Sequence, residues 1–157
     1  MCGYRDLRRL TRAEHRYEMH GLPSITLHDI TVISCPRCGH SELAVPAVEG
    51  LHHAIARAMI AKRQRVMPRE IRFLRKQLGL SGVELANHLG ATAESVSRWE
   101  NGRTPMGVTD RLLRLMIVLA QGATYSLNAL RIVARHEPRA TPIHVRWRDG
   151  GWQAVTS

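Results

Sequence analysis

The chain has 157 residues, room for one ordinary domain or two small ones, and a formal net charge of +10 that points to an anionic partner, nucleic acid first. Aromatics are 4% and Phe73 is the sole phenylalanine, so any core must be built from Leu, Ile, Val, Ala and Met. No run of about 18 apolar residues is present, which excludes a helical membrane span, and no apolar stretch follows Arg8 and Arg9, so no secretory leader is expected.

Residues 1–46 hold all three cysteines and most of the period-two alternation. In "SITLHDITVISC", Ile25, Leu27, Ile30 and Val32 sit in short β-prone runs, punctuated beforehand by Gly21 and Pro23. "SCPRCGH" then sets Cys35 and Cys38 at the spacing of half a zinc site, with Gly39 letting backbone N–H groups approach the sulfurs. A redox pair would want a helix starting at its first cysteine, and "HSELAVP" is not helical in pattern, so structural zinc is the expected reading. A zone this small cannot bury much apolar surface, and a metal would help hold it together. The cysteine usage suits a reducing, cytoplasmic setting better than a disulfide framework.

Residues 47–67 switch to helical period as a linker, with Leu51, Ile55, Ala58 and Met59 on one face and Lys62, Arg63 and Arg65 at the end that favours cations. Residues 68–136 read as five short helices. Pro68 suits the first helix's start and Gly79 its end. Ser81 with Glu84 forms a capping box for the second, and Thr92 caps the third, "AESVSRWEN". Thr109 opens a fourth, apolar at Leu112, Leu113, Leu115, Met116 and Leu119; Ser126 opens a fifth, with Leu127, Leu130 and Val133 facing inward. In the tail, residues 137–157, Ile143, Val145 and Trp147 alternate with His144, Arg146 and Arg148 before the hairpin signal Asp149-Gly150. That turn sets Trp147 opposite Trp152 and Val145 opposite Ala154, an apolar face that must pack on the helices or on a partner. The expected fold class is mainly α, with a small β-rich zinc-binding N-terminal domain, a five-helix C-terminal domain and a terminal β-hairpin.

The stretch "LGLSGVELANHLGATAESVSRWENGRTP" has the layout of a helix-turn-helix, two short helices joined through Gly90-Ala91-Thr92. Its inward positions are Leu78, Val83, Leu85, Ala86, Leu89, Val96 and Trp99. These residues resemble the lambda-repressor-like (Xre/Cro) family over residues 69–120. The resemblance implies that the third helix is the recognition helix. Ala93, Glu94 and Arg98 match base-reading positions, and Thr92, Ser95 and Ser97 lie near phosphate or base edges. Asn101 and Arg103 are placed for backbone contacts. Arg98 suits guanine, whose O6 and N7 its fork can grip together; Glu94 can accept from cytosine or simply hold Arg98 four residues on. Arg75 and Glu100 match a partly buried ion pair of that fold. Gly82 departs from the pattern, standing where a phosphate-anchoring Gln is common.

The order of β-rich segment, CPRCG, linker helix and helix-turn-helix, with "YEMHGLP…ITLHDITVISCPRCG", resembles the MqsA-type antitoxins with their YgiT-type zinc finger, over residues 2–130 but not the hairpin. In that family two CxxC pairs bind one zinc in a domain that grips a toxin, usually an mRNA-cleaving RNase. The helix-turn-helix part dimerises and represses its own operon. Carried over, Cys35 and Cys38 match the second pair and Cys2 the last cysteine of the first. The remaining ligand is then expected three positions before Cys2, in a C-x-Met-Cys arrangement with Met1 not the natural start; the alternative is a Cys3His site using His15, His20 or His40. The implied function is an antitoxin that binds a palindromic double-stranded operator as a homodimer and neutralises an RNase toxin, or else a stand-alone Xre-type regulator without a toxin. No enzyme is expected, since neither a nucleophile triad nor a carboxylate pair is present and a fully ligated zinc leaves no open position.

Overall fold

The structure is a computed structural model that describes residues 2, 6–18, 21–22, 24–103, 105, 107–133 and 135–155. The ligand candidate His20 and the punctuating Pro23 lie outside the described residues. The elements run β1 (Arg8–Arg16), β2 (Ile25–Ser34), β3 (Ser41–Ala44), α1 (Val48–Ala61), α2 (Pro68–Gln77), α3 (Gly82–Leu89), α4 (Ala93–Glu100), α5 (Gly107–Ala120), α6 (Leu127–Ile132), β4 (Ile143–Arg148) and β5 (Gly151–Val155).

The mainly helical class expected above is wrong. Among the described residues helix accounts for 41% and strand for 26%, and the five strands form one sheet. The reason is a long-range pairing with no local signature. β4 runs parallel to β2, Ile25 opposite Ile143 through His28 opposite Arg146, so the tail is built into the N-terminal sheet in the order β1-β2-β4-β5. β3 pairs with the far half of β2, Thr31 opposite Ala44 to Ser34 opposite Ser41. β1 also escaped the pattern, because this edge strand is solvent-exposed at every position except His15 and so shows no apolar alternation.

The hairpin itself closes through Asp149, which has φ 51, and Gly150, which has φ 76, and sets Trp147 against Trp152 and Val145 against Ala154. The two indoles meet edge-on with centroids 5.6 Å apart, and Trp152 Nε1 donates to the Pro46 carbonyl at 2.8 Å. α1 packs chiefly on β4 and β5, with Leu51, Ile55 and Met59 inward. Those side chains join Ile25, Leu27 and Val145 of the sheet and Phe73, Leu85, Val96 and Leu113 of the later helices in one continuous core.

The helix boundaries follow local chemistry. Ser81 accepts from Glu84 N–H at 3.2 Å while the Glu84 carboxylate accepts from Ser81 N–H at 2.7 Å. Gly90 ends α3 in the left-handed region at φ 61, where a Cβ would be strained. Three details depart from the pattern. Val83 is 58% exposed, because residues two apart on a helix face opposite ways and Leu85, Ala86 and Leu89 take the inner face. Leu127 is 82% exposed at the start of the short α6, leaving Val133 as the buried anchor there. α5 begins at Gly107, ahead of Thr109.

Of the three cations expected at the end of α1, Lys62 turns inward. It is buried against the Glu70 carboxylate, which also accepts from Met67 N–H at 2.7 Å. Beside it Arg114, fully buried and paired with Asp110, donates to the carbonyls of Ile60, Lys62 and Gln64 at 2.8, 2.7 and 2.6 Å. One α5 guanidinium thus satisfies the Ile60 carbonyl in the last turn of α1 and those of Lys62 and Gln64 just beyond it.

Candidate metal centre and nucleic-acid interface

β1 runs antiparallel to β2 with Arg8 opposite Ser34, so Cys2, ahead of β1, lies at the end of β2, where Cys35 begins a turn. Gly39 N–H donates to Cys35 O at 2.9 Å and Cys35 N–H to His40 O at 2.8 Å, with Gly39 at φ 72. The Sγ atoms of Cys2, Cys35 and Cys38 come within 4.8 Å of one another, Cys2 and Cys35 at 3.5 Å. A tetrahedral thiolate site with Zn–S of about 2.3 Å sets sulfurs about 3.8 Å apart. Three thiols on this scale fit three corners of such a site, and soft sulfur donors suit zinc.

A hydrogen bond from the Cys38 backbone brings the Cys35 thiol down to about 7 against the opposing effect of burial, with Arg37 and the neighbouring thiols helping. Cys38 is pushed up in spite of a backbone bond from His40, because Cys2 and Cys35 beside it disfavour a further negative charge. Among the histidines, His40 is exposed and bonded through Nε2 to Glu42 at 3.0 Å. His15 lies opposite Leu27, eight residues along β2 from Cys35, or about 25 Å at strand rise. Neither joins the thiol cluster among the described residues.

The helical half presents a second surface. α3 and α4 cross over buried Leu85, Ala86 and Val96. That crossing turns Thr92, Ala93, Glu94, Ser97 and Arg98 outward into solvent, with Ser95 half-buried. Thr92 Oγ1 caps the helix by accepting from Ser95 N–H at 3.1 Å. Arg98 pairs with Glu94 at 3.1 Å, and Asn101 Nδ2 donates to Ser97 O at 2.8 Å. Arg103, exposed, follows the helix end.

Beneath this face Arg75 grips both oxygens of Glu100, at 2.6 and 3.1 Å, and also donates to Leu80 O at 2.8 Å. Arg72 was not anticipated: it donates to the same carboxylate at 3.2 Å and to Asn101 Oδ1 at 3.1 Å. Its spacing of three from Arg75, which sets both on one helix face, was the signal available in sequence. Burial alone would raise the Glu100 carboxyl, but Arg75 and then Arg72 outweigh it and hold the group below the usual carboxylate range.

Residues 1–124 match the family model of MqsA, the antitoxin component of a bacterial toxin-antitoxin system. The chain belongs to the MqsA antitoxin family. Among curated proteins and solved structures no match was found. The matched span stops between α5 and α6, so β4 and β5 lie beyond it. MqsA membership makes the chain an antitoxin, a regulatory protein with a toxin as its counterpart, and its three clustered cysteines can hold a metal ion. No helix among the described residues is long and apolar enough to cross a membrane.

Proposed function

We propose that this antitoxin is a DNA-binding repressor of its own operon, with α4 as the recognition helix. The observation that carries this reading is the outward face of α4, polar and unobstructed, held at a fixed tilt by the Arg75–Glu100–Arg72 clamp underneath. Arg98 grips a guanine edge when released from Glu94, Ala93 and Glu94 lie against neighbouring bases, and Thr92, Ser95, Ser97, Asn101 and Arg103 meet phosphates. The charge of +10 supplies the non-specific attraction.

The chain acts as a homodimer on a palindrome, its two recognition helices about 34 Å apart in successive major grooves. An unpartnered apolar stripe supports this: Val108, Leu112 and Leu119 on α5, with Leu127 and Ile132 on α6, are exposed. Cys2, Cys35 and Cys38 hold a structural zinc together with one further ligand, and the strands around it grip an RNase toxin.

Fluorescence anisotropy on promoter DNA tests the DNA reading. Arg98→Ala weakens binding to the operator by about 1–3 kcal/mol and relaxes the preference at one base pair. Equal weakening on operator and random DNA would remove Arg98 from base reading. Co-expression with the neighbouring open reading frame tests the toxin, which copurifies through residues 1–66 if the proposal holds.

A further inference from the structure

The tail beyond the family match is tied to the linker, the sheet and α1. After α6 the chain runs beside the linker, where Arg135 N–H donates to Arg63 O at 3.3 Å and Arg65 N–H to His136 O at 3.0 Å. The Arg65 guanidinium grips both oxygens of Glu137, at 2.7 and 2.8 Å, and Lys62 Nζ reaches Arg139 O at 3.4 Å. The tail then enters the sheet. Ile143 N–H donates to Ser24 O at 2.7 Å, and Arg146 pairs with Asp29 at 2.9 Å. His28 Nε2 meets His144 Nδ1 at 2.9 Å across the same seam.

Where the tail sits matters more than how many bonds it makes. α1 is anchored to the helical half by Arg114 on its terminal carbonyls and by Tyr125 Oη donating to Ile60 O at 3.2 Å. On its other side α1 packs chiefly on β4 and β5, not on the thiol-bearing strands β1 to β3. Val145, fully buried, and Trp152 lie beside β2 in the sheet and share one core with the α1 side chains. Apart from the linker, the direct tie from the β1–β2 connection to α2 is Arg69 donating to Gly21 O at 2.9 Å, and it is exposed.

We infer that the C-terminal hairpin is an intramolecular clamp: it couples the thiol-bearing strands to the helical half and seals the linker, so that the two halves move as one body. Undocked, the strands would hang from α1, itself held to the helical half, by residues 45–47. This inference does not depend on what α4 binds.

The test compares zinc-supplemented full-length protein with two full-length variants. Val145→Asp places a charge where no water reaches, between sheet and α1. Ile143→Pro removes the N–H that bonds Ser24 and introduces no charge, keeping a smaller apolar side chain at a buried position. Amide relaxation is read separately for β2 and for α2 to α5, and tryptic cleavage after Arg63 and Arg65 is timed. In the unaltered chain both halves share one rotational correlation time and the linker is cut slowly. In the variants the β2 amides tumble faster than the helices, which stay folded, and linker cleavage rises at least tenfold. A single correlation time and unchanged cleavage with the hairpin undocked overturn the clamp. Loss of helices together with sheet in both variants overturns it too, because the tail would then be part of one indivisible core.

Discussion

The two ends of this molecule are built on different length scales. In the helical half, Ser81 caps a helix through Glu84, Thr92 through Ser95, and the farthest ion pair, Arg72 to Glu100, closes within 28 residues. In the sheet, His28 meets His144 across 116 residues and Trp152 meets Pro46 across 106. Local contacts close small loops at little entropic cost, while the sheet must bring both ends of the chain together before any pairing rewards it. The helical half should therefore tolerate damage piecemeal, and the sheet half should fail as a unit.

The sharpest way to break that contrast is at the joint between the halves. Arg114→Ala leaves Asp110 buried without its counter-charge and reopens the carbonyls of Ile60, Lys62 and Gln64. It destabilises the protein by about 3–5 kcal/mol in denaturant titration. Arg114→Ala with Asp110→Asn recovers a good part of that loss, since the stranded charge is gone. A loss below about 1 kcal/mol for the single variant would show that Arg114 is not what holds α1 to the helical half.

Metal removal should separate the halves next. Cys35→Ser, or a strong chelator, eliminates metal binding at the cysteine cluster and loosens the turn between β2 and β3, while the Arg75–Glu100 pair and the caps of α3 and α4 are untouched. Amide exchange quickens by at least tenfold around residues 32–44 and hardly changes in α3 and α4. Uniform quickening along the chain would mean that the two halves do not differ in this way.

The same contrast explains what the sequence made legible. Ser81-x-x-Glu84, Thr92 and Gly90 signalled helix ends because each acts on residues within one turn of itself, and the hairpin register followed from Asp149-Gly150 because a two-residue turn leaves one pairing. Nothing near Ile143 names β2 as its neighbour, so the fold class was misjudged at that point. Arg114 was hidden for another reason: an arginine in an apolar helix reads as solvated until the carbonyls of another helix's end are known to face it. Cys35 and Cys38 marked themselves by spacing, whereas Cys2 joined them through the register of β1 on β2.

Within the helical half the electrostatic clamp gives a smaller, pH-dependent effect. The Glu100 carboxyl is held below its ordinary value, so its stabilisation is complete above the unfolded value of about 4.3 and is lost as pH falls through the lower folded value. Glu100→Gln should cost about 1–3 kcal/mol at neutral pH, and the gap between variant and parent should close below about pH 4. A gap that stays constant down to pH 3 would remove the ionised carboxylate as its cause.

The smallest effect is the most local one. Ser81→Ala removes the hydroxyl that accepts from Glu84 N–H and exposes that donor at the start of α3. The expected loss is about 1 kcal/mol in denaturant titration, with metal content and linker cleavage unchanged. Gly82 and Val83 sit in the same first turn with nothing packed over them: a Cβ at Gly82 would meet no atom within 4 Å, and Val83 is largely exposed. Solvent can therefore take up the freed N–H, and the damage should stay within α3. If the same substitution also altered metal content at the far end of the sheet, the helical half would not be the piecemeal structure its short-range bonds make it.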